Sequence, residues 1–353
     1  MAKIDAFFKL MLDKKASDFH LSPKSQPVFR INGDLEIYEW RELTNEVNKA
    51  LLYEMMTSDQ IEKFEKTHDI DFAYSVDDVG ARLRCNVYLE RLGIGGSFRM
   101  IPSKIQTAEE LEFPPQVLKF TEYNRGLVVV TGSAGCGKST TLASIIDSIN
   151  KSRSDHILTI EDPIEFVHKS LGCIVNQRQV GKDTKSFATA LRAALREDPD
   201  VILIGELRDL ETMELAITAA ETGHLVFGTL HTTSAPKTVD RIINAFPTAA
   251  QEQIRAMLAE SLRGVIAQQL VKTVDGGRCA AMEILVCTSA VSNLIREGKT
   301  FQLPSILQTG KRDGMQMMDN ALHDLVVQKK VLPEDAMSKA NNKEMFKEFI
   351  KNQ

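Results

Sequence analysis

At 353 residues, with 43% hydrophobic and 26% charged side chains, the chain is long enough for one large domain or two. Its formal net charge of -5 leaves no global basic footprint, which argues against sequence-independent nucleic-acid binding. No apolar run approaches the roughly 20 residues that span a bilayer, so no transmembrane segment is expected.

Near the start, Ile4, Phe7, Phe8, Met11 and Leu12 sit at helical spacing and predict an amphipathic helix packed on its own domain. Lys9, Asp13, Lys14 and Lys15 crowd that segment too heavily for a secretory leader. Val28 to Ile31 and Asp34 to Ile37 flank Asn32-Gly33, a strong hairpin signal. Ile70, Phe72, Tyr74 and Val76 then alternate, Asp77 to Gly80 turn the chain, and Leu83, Cys85, Val87 and Leu89 alternate back. This predicts a half-buried antiparallel sheet whose other face carries Arg82, Arg84, Asn86 and Tyr88. Two arginines thus project in one direction from a rigid strand, most often a solvated face.

Pro102 and Pro114-Pro115 mark a connecting segment, in which Thr107 and Glu110 have capping-box spacing for a short helix. The expected division is an N-terminal domain over 1–100, a linker over 101–122 and a second domain over 123–353. In that second domain apolar strands at Leu127 to Thr131, His156 to Ile160, Val201 to Ile204 and His224 to Leu230 alternate with helices such as Ser186 to Arg196 and Glu211 to Glu221. Such alternation implies an α/β fold with a mainly parallel sheet covered on both faces. Gln251 to Leu270, with Ile254, Leu258, Val265 and Ile266 on one side, reads as a long helix, and the Lys-rich C-terminal end as solvated helix. Five scattered cysteines, Cys85, Cys136, Cys173, Cys279 and Cys287, form no C-x-x-C pair, which excludes an obvious zinc site and points to a reducing compartment.

The most specific chemistry lies where the first apolar strand runs into Gly132-Ser133-Ala134-Gly135-Cys136-Gly137-Lys138-Ser139-Thr140, a G-x-x-x-x-G-K-[ST] loop. Glycines let successive N–H groups turn around phosphate oxygens, Lys138 adds charge, the Ser139 hydroxyl can ligate Mg²⁺, and the following helix adds its positive end. Those helix-end N–H groups and Lys138 are also expected to lower the Cys136 thiol pKa. Cleavage of a phosphate needs groups that orient water and manage the metal, usually at neighbouring strand ends. Val201 to Ile204 leads through Gly205 to Glu206, a Walker B-like end with glycine at the usual aspartate position. Glu161 closes another strand before Asp162-Pro163. His231, beside Thr232, Thr233 and Ser234, suits contact with a γ-phosphate or a structural hydrogen bond about equally. Leu191 to Asp200 carries cations and acids that suit inter-subunit ion pairs or a solvated helix end.

Together, Gly132 to Thr140, the "Asp box" Ile157 to Phe166, Asp198-Pro199-Asp200 to Arg208 and the "His box" Thr222-Gly223-His224 to Thr233 resemble the secretion ATPase superfamily. Within it the chain looks most like the retraction motors of type IV pili, through Ala16 to Ser22, Phe98 to Lys104 and Asn293-Leu294-Ile295-Arg296-Glu297. The resemblance covers essentially the whole sequence. It implies a PAS-like α+β N-terminal domain, a RecA-like P-loop ATPase domain and a ring-shaped homo-hexamer with ATP between domains and subunits. It also matches Arg82, Arg84 and Arg99 to basic residues that approach the nucleotide. Glu161 and Glu206 would divide water activation and metal-shell duties, Glu206 meeting Mg²⁺ directly or through water. The implied setting is cytoplasmic and peripheral to the inner membrane, with a platform protein and the pilus machinery as partners and no nucleic acid.

Two departures stand out. The family's usual loop is Gly-Pro-Thr-Gly-Ser-Gly-Lys, and Ser133, Ala134 and Cys136 replace its Pro, Thr and Ser. A cradle of backbone N–H groups should tolerate this in binding, with turnover the property at stake. The late family motif Ala-Ile-Arg-Asn-Leu-Ile-Arg-Glu has Ser292 in place of its first arginine. An accessory or regulatory nucleotide-binding pilus protein with little turnover is one alternative; a RecA-like nucleic-acid motor is the other.

Overall fold

The computed structural model describes residues 2–31, 33–76, 80–101 and 104–351. The chain divides into two compact units, residues 1–104 with 163–167 and residues 105–162 with 168–353.

In the first unit the expected amphipathic helix forms as α1 (Asp5–Asp13), with Ile4, Phe8 and Met11 buried. It is followed by β1 (Asp18–Leu21), β2 (Val28–Ile31), β3 (Asp34–Ile37), α2 (Asn45–Glu54), α3 (Ser58–Thr67), β4 (Asp69–Val76), β5 (Ala81–Glu90) and β6 (Gly93–Ile101). The strands make one antiparallel sheet in the order β3-β2-β1-β6-β5-β4. Alternation fixes its faces: Ala81, Leu83, Cys85 and Val87 of β5 are buried with Phe19, Phe29 and Phe98, beneath Phe8, Leu52 and Phe64 of the three helices. Both expected hairpins form, β2 with β3 and β4 with β5. Gly33 takes a φ of 100°, which side-chain-bearing residues avoid. Asn32 and the turn residues Asp77, Asp78 and Val79 lie outside the described residues, as do Pro102 and Ser103.

In the second unit α4 (Pro115–Lys119) leads into β7 (Gly126–Thr131), α5 (Lys138–Ser152), β8 (His156–Glu161), β9 (Ile174–Gln179), α6 (Phe187–Ala194), β10 (Val201–Ile204), α7 (Leu210–Glu221), β11 (Leu225–Leu230), α8 (Ala235–Asn244) and α9 (Gln251–Ser261). Then come β12 (Leu262–Lys272), β13 (Arg278–Val286), α10 (Ser289–Arg296), α11 (Leu303–Thr309), α12 (Met318–Val327), α13 (Pro333–Lys339) and α14 (Glu344–Lys351). The seven-stranded sheet runs β13-β12-β7-β11-β10-β8-β9, and every neighbouring pair is parallel except β12 with β13. Its central strands β7, β10 and β11 are buried throughout and mostly apolar because both faces are covered. Leu127, Val129, Ile202 and Val226 share a core with α6, α7 and α9, while Val128, Val130, Leu203 and Phe227 share one with α5.

Three expectations are corrected. The helix expected over Gln251 to Leu270 ends at Ser261, and Leu262 begins β12 beside β7. Gly264 weakens helix and the β-branched Val265 and Ile266 suit strand, but the open edge of β7 decides. Gly264 also lies where a Cβ would come within 2.3 Å of the Phe120 ring, so the strand can pack closely there. The Thr107–Glu110 box does form, with Thr107 N–H donating to Glu110 Oε2 (3.0 Å) and Glu110 N–H to Thr107 Oγ1 (3.2 Å). It closes a turn rather than a helix, and the next helix begins only at Pro115. Finally, the Lys-rich C-terminal end is not simply solvated. Phe346 of α14 is fully buried in a cluster with Val271 of β12, Ala281 of β13 and Leu322 of α12.

Candidate functional site

The carboxyl ends of parallel strands gather at one edge of a sheet, where loops from several strands converge. At the end of β7 the chain enters the phosphate loop, whose Gly132, Gly135 and Gly137 have φ of 148°, 75° and 91°. The close packing is specific at Gly132, where a Cβ would meet Gln268 O at 2.4 Å and Cys136 Sγ at 2.5 Å. α5 starts at Lys138 with Gly137 as its left-handed N-cap, so the loop opens directly onto a helix N-terminus. Ser133, Ala134, Gly135 and Ser139 are exposed, Thr140 and Lys138 are half-buried, and Cys136 is buried. The Cys136 expectation is therefore corrected: burial pushes its thiol up, outweighing the opposing pull of Lys138 and the neighbouring N–H groups.

Lys138 anchors a continuous polar chain. Its Nζ donates to Gly132 O (2.8 Å) and Ser133 O (3.1 Å) and lies 3.4 Å from His231 Nδ1. His231 Nε2 lies 3.3 Å from Glu206 Oε1, and Arg208 Nε donates to Glu206 Oε2 at 2.7 Å. A lysine ammonium only donates, so Nδ1 accepts from it and the ring's Nε2–H points at Glu206. Arg208 also reaches toward Asp162 Oδ2, at 4.0 Å. The phosphate loop, the loop after β11, the end of β10 and the end of β8 are thus joined through side chains.

Glu161 ends β8 and accepts from Thr159 Oγ1 (2.6 Å) and Gln177 Nε2 (3.2 Å) on the same oxygen. Gly205, at the usual aspartate position, follows β10 where the chain passes close to β8: its N–H donates to Ile160 O (2.8 Å) and a Cβ would come 3.3 Å from Glu161 Cα. That proximity favours glycine and leaves Glu206 as the carboxylate at this strand end. Below the loop, Thr131 Oγ1 accepts from Thr232 N–H (2.9 Å) and lies 2.6 Å from Thr232 Oγ1, tying the end of β7 to the segment after β11.

The strand arginines sit in the first unit. Arg82 Nε donates to Ile164 O (3.1 Å), Arg84 is exposed, and Arg99 Nε donates to Asp18 Oδ1 (2.8 Å). Burial pushes the Asp18 carboxyl up, yet hydrogen bonds from Arg99 and Ser17 and nearby positive charge hold it below its ordinary value. In the segment Leu191 to Asp200, Arg192 pairs with Glu211, Glu197 with Arg178 (2.8 Å), and Asp200 Oδ2 accepts from His156 N–H (2.9 Å).

Arg208 and Asp162 fall in the quoted motifs but carry no role by sequence alone. Nor does Gln268 of β12, buried beneath the loop, because helical spacing over Gln251 to Leu270 hides the strand. The adjacent Gln268-Gln269 pair interrupting the apolar stretch Val265 to Val271 was the signal available.

A phosphate loop feeding a helix on a mainly parallel sheet, with glutamates ending neighbouring strands, defines a P-loop ATPase domain of RecA type, here preceded by an antiparallel α+β domain. The family described as type II/IV secretion system protein matches residues 2–347, and the chain belongs to that family. It is 50% identical over 331 residues, 94% of this chain and 96% of the relative, to the type IV pilus retraction ATPase PilT of Pseudomonas aeruginosa. It is likewise 50% identical over 319 residues to a twitching motility protein of Neisseria gonorrhoeae, covering 90% of this chain and 85% of the relative. A crystal structure of the pilus retraction motor PilT with bound ADP superposes with a TM-score of 0.90 at 45% identity, covering 98% of both chains. Among the described residues no helix is long and apolar enough to cross a membrane.

Proposed function

We propose that this chain is an ATP-hydrolysing motor that drives type IV pilus retraction and hence twitching motility. The observation that carries the proposal is likeness along nearly the whole chain, 50% identity over 94% of it, to a pilus retraction ATPase. The site chemistry is compatible. A loop of inward-turning backbone, a lysine and a helix N-terminus suit a polyphosphate, and a hydroxyl with strand-end carboxylates supplies the hard oxygen donors that Mg²⁺ prefers.

Residue roles follow from chemistry and position. Gly132, Ser133, Ala134, Gly135, Cys136, Gly137, Lys138, Ser139 and Thr140 bind the phosphates, chiefly through backbone N–H groups, and Lys138 exchanges its loop carbonyls for phosphate oxygens. Ser139 would hold Mg²⁺, with Glu206 joining it directly or through water. Glu161 and Glu206 would divide water activation and metal-shell duties between them. His231 touches both Lys138 and Glu206 and so responds to the state of each. Arg82, Arg84 and Arg99 are the cations we assign to the outer phosphate in the assembled ring, where positive charge favours the transition state. When bound, nucleotide and Mg²⁺ supply the phosphoanhydride and neutralise its charge. The working assembly is a homo-hexameric ring at the cytoplasmic face of the inner membrane, acting on the platform protein of the pilus machinery.

Steady-state phosphate release tests the enzymatic part. Wild type should turn over ATP, and Glu206→Gln should lose about a hundredfold or more while still binding ADP. Equal, near-zero rates for the two proteins would sink the motor reading in favour of a nucleotide-switched accessory protein. DNA should neither bind in a salt-sensitive way nor stimulate turnover. Deleting the gene should leave pili that do not retract.

A further inference from the structure

Gln268 belongs to none of the groups assigned above, yet it is the polar side chain beneath the phosphate loop, only 2% exposed on β12. Thr141 Oγ1, itself buried in the first turn of α5, donates to Gln268 Oε1 at 2.7 Å. With that oxygen accepting, the amide nitrogen is the donor that remains, and Nε2 gives its hydrogen bond to Cys136 O, also at 2.7 Å. Loop and residue are packed tightly as well, since a Cβ on Gly137 would come 2.9 Å from Gln268 Nε2.

The bonded carbonyl is the informative atom. A trans peptide is planar, so C=O and the following N–H point in opposite directions. Holding Cys136 O down onto Gln268 therefore turns Gly137 N–H away from β12. A phosphate cradle requires this arrangement, with amides turned to the anion and carbonyls turned from it. Without the anchor, peptide 136–137 is free to rotate, and a carbonyl facing phosphate oxygens is repulsive. Thr141 fixes the sense of the amide, so the same bond also ties the helix start to the loop.

We propose that Gln268 is a positioning residue that pre-sets the phosphate loop for nucleotide by orienting the Cys136–Gly137 peptide, with Thr141 holding its amide in register. The proposal rests on the reading of this loop as a nucleotide site. Its signature is affinity: losing the anchor makes binding itself perform the ordering, so Kd and KM rise while kcat changes less.

A fluorescent ADP analogue titrated into the full chain tests it. Gln268→Met keeps length and apolar packing but loses the amide, and should raise Kd about tenfold, the effect of one buried hydrogen bond. Thr141→Val should raise Kd in the same direction, Thr141→Ser should restore it, and the double variant Gln268→Met/Thr141→Val should bind no worse than the weaker single variant. KM for ATP should rise in parallel with Kd. A Kd for Gln268→Met within about twofold of wild type, even with a lowered melting temperature, would reduce the residue to a packing role and overturn the proposal. Should Gln268→Met fail to fold, equal affinity of Thr141→Val and Thr141→Ser would overturn it. Failure of wild type to bind the analogue would instead remove the nucleotide reading and the proposal with it.

Discussion

At the scale of single residues, the altered phosphate loop separates what side chains contribute from what the backbone contributes. Cys136 is buried and its thiol is pushed up by burial, while its carbonyl is bonded to Gln268. Cys136→Ala should therefore change Kd for ADP by no more than about threefold in an equilibrium titration, since the bonded group is retained. Glu283 on β13 carries a different consequence. Burial, joined by the nearby Asp319, pushes its carboxyl up, despite hydrogen bonds from Ala235 N–H (2.8 Å) and Met318 N–H and the charge of Lys237. The folded chain thus keeps this proton to higher pH than the unfolded chain does. Its contribution to stability is complete below the ordinary carboxylate pKa and is lost as pH rises through the raised folded value. Glu283→Gln should flatten that decline, measured as melting temperature from about pH 4 to about pH 8; an unchanged slope would refute it. The identities of Lys138, Glu161, Glu206 and His231 were legible in the sequence because each sits at a motif or strand end. Their mutual contacts were not, because Lys138, Glu206 and His231 lie on segments that only the parallel sheet brings together.

Two capping boxes show what an element can and cannot announce. Thr57 and Gln60 form a box that opens α3, with reciprocal bonds of 3.3 and 2.8 Å. Thr107 and Glu110 form bonds of similar length around a turn. Only the first is followed by a helix long enough to use the cap, with Phe64 buried beneath it; after the second, Pro114-Pro115 disfavours helical backbone just ahead. Thr57→Ala should cost about 1 kcal/mol in urea unfolding. Thr107→Ala should cost clearly less. The same limit explains the segment after Gln251. The run Leu262 to Val271 satisfies helical and strand spacing alike, and hydrogen bonding to β7 and β13 selects strand.

At the scale of the whole molecule, the C-terminal helices complete the second unit. α12, α13 and α14 cover the end of the sheet formed by β12 and β13, and Lys330 pairs with Glu112 of the connecting segment. Phe346→Ala should cost about 3–5 kcal/mol of stability, read from the denaturant midpoint; a loss below about 1 kcal/mol would show that α14 is dispensable to the core. The sequence by itself determined the phosphate loop and its helix, two strand pairs of the first sheet, four strands of the second and its mainly parallel character, and the acids at strand ends. Those features are local: periodicity and turn chemistry act over a few residues and leave direct traces in composition. Tertiary structure alone decided that β12 is a strand, that Phe346 of the Lys-rich C-terminal end is buried, that residues 163–167 group with the first unit, and that Gln268 lies under the loop. Each depends on partners distant in sequence, here a free strand edge, an uncovered apolar surface and a carbonyl 132 positions away, which no local pattern encodes.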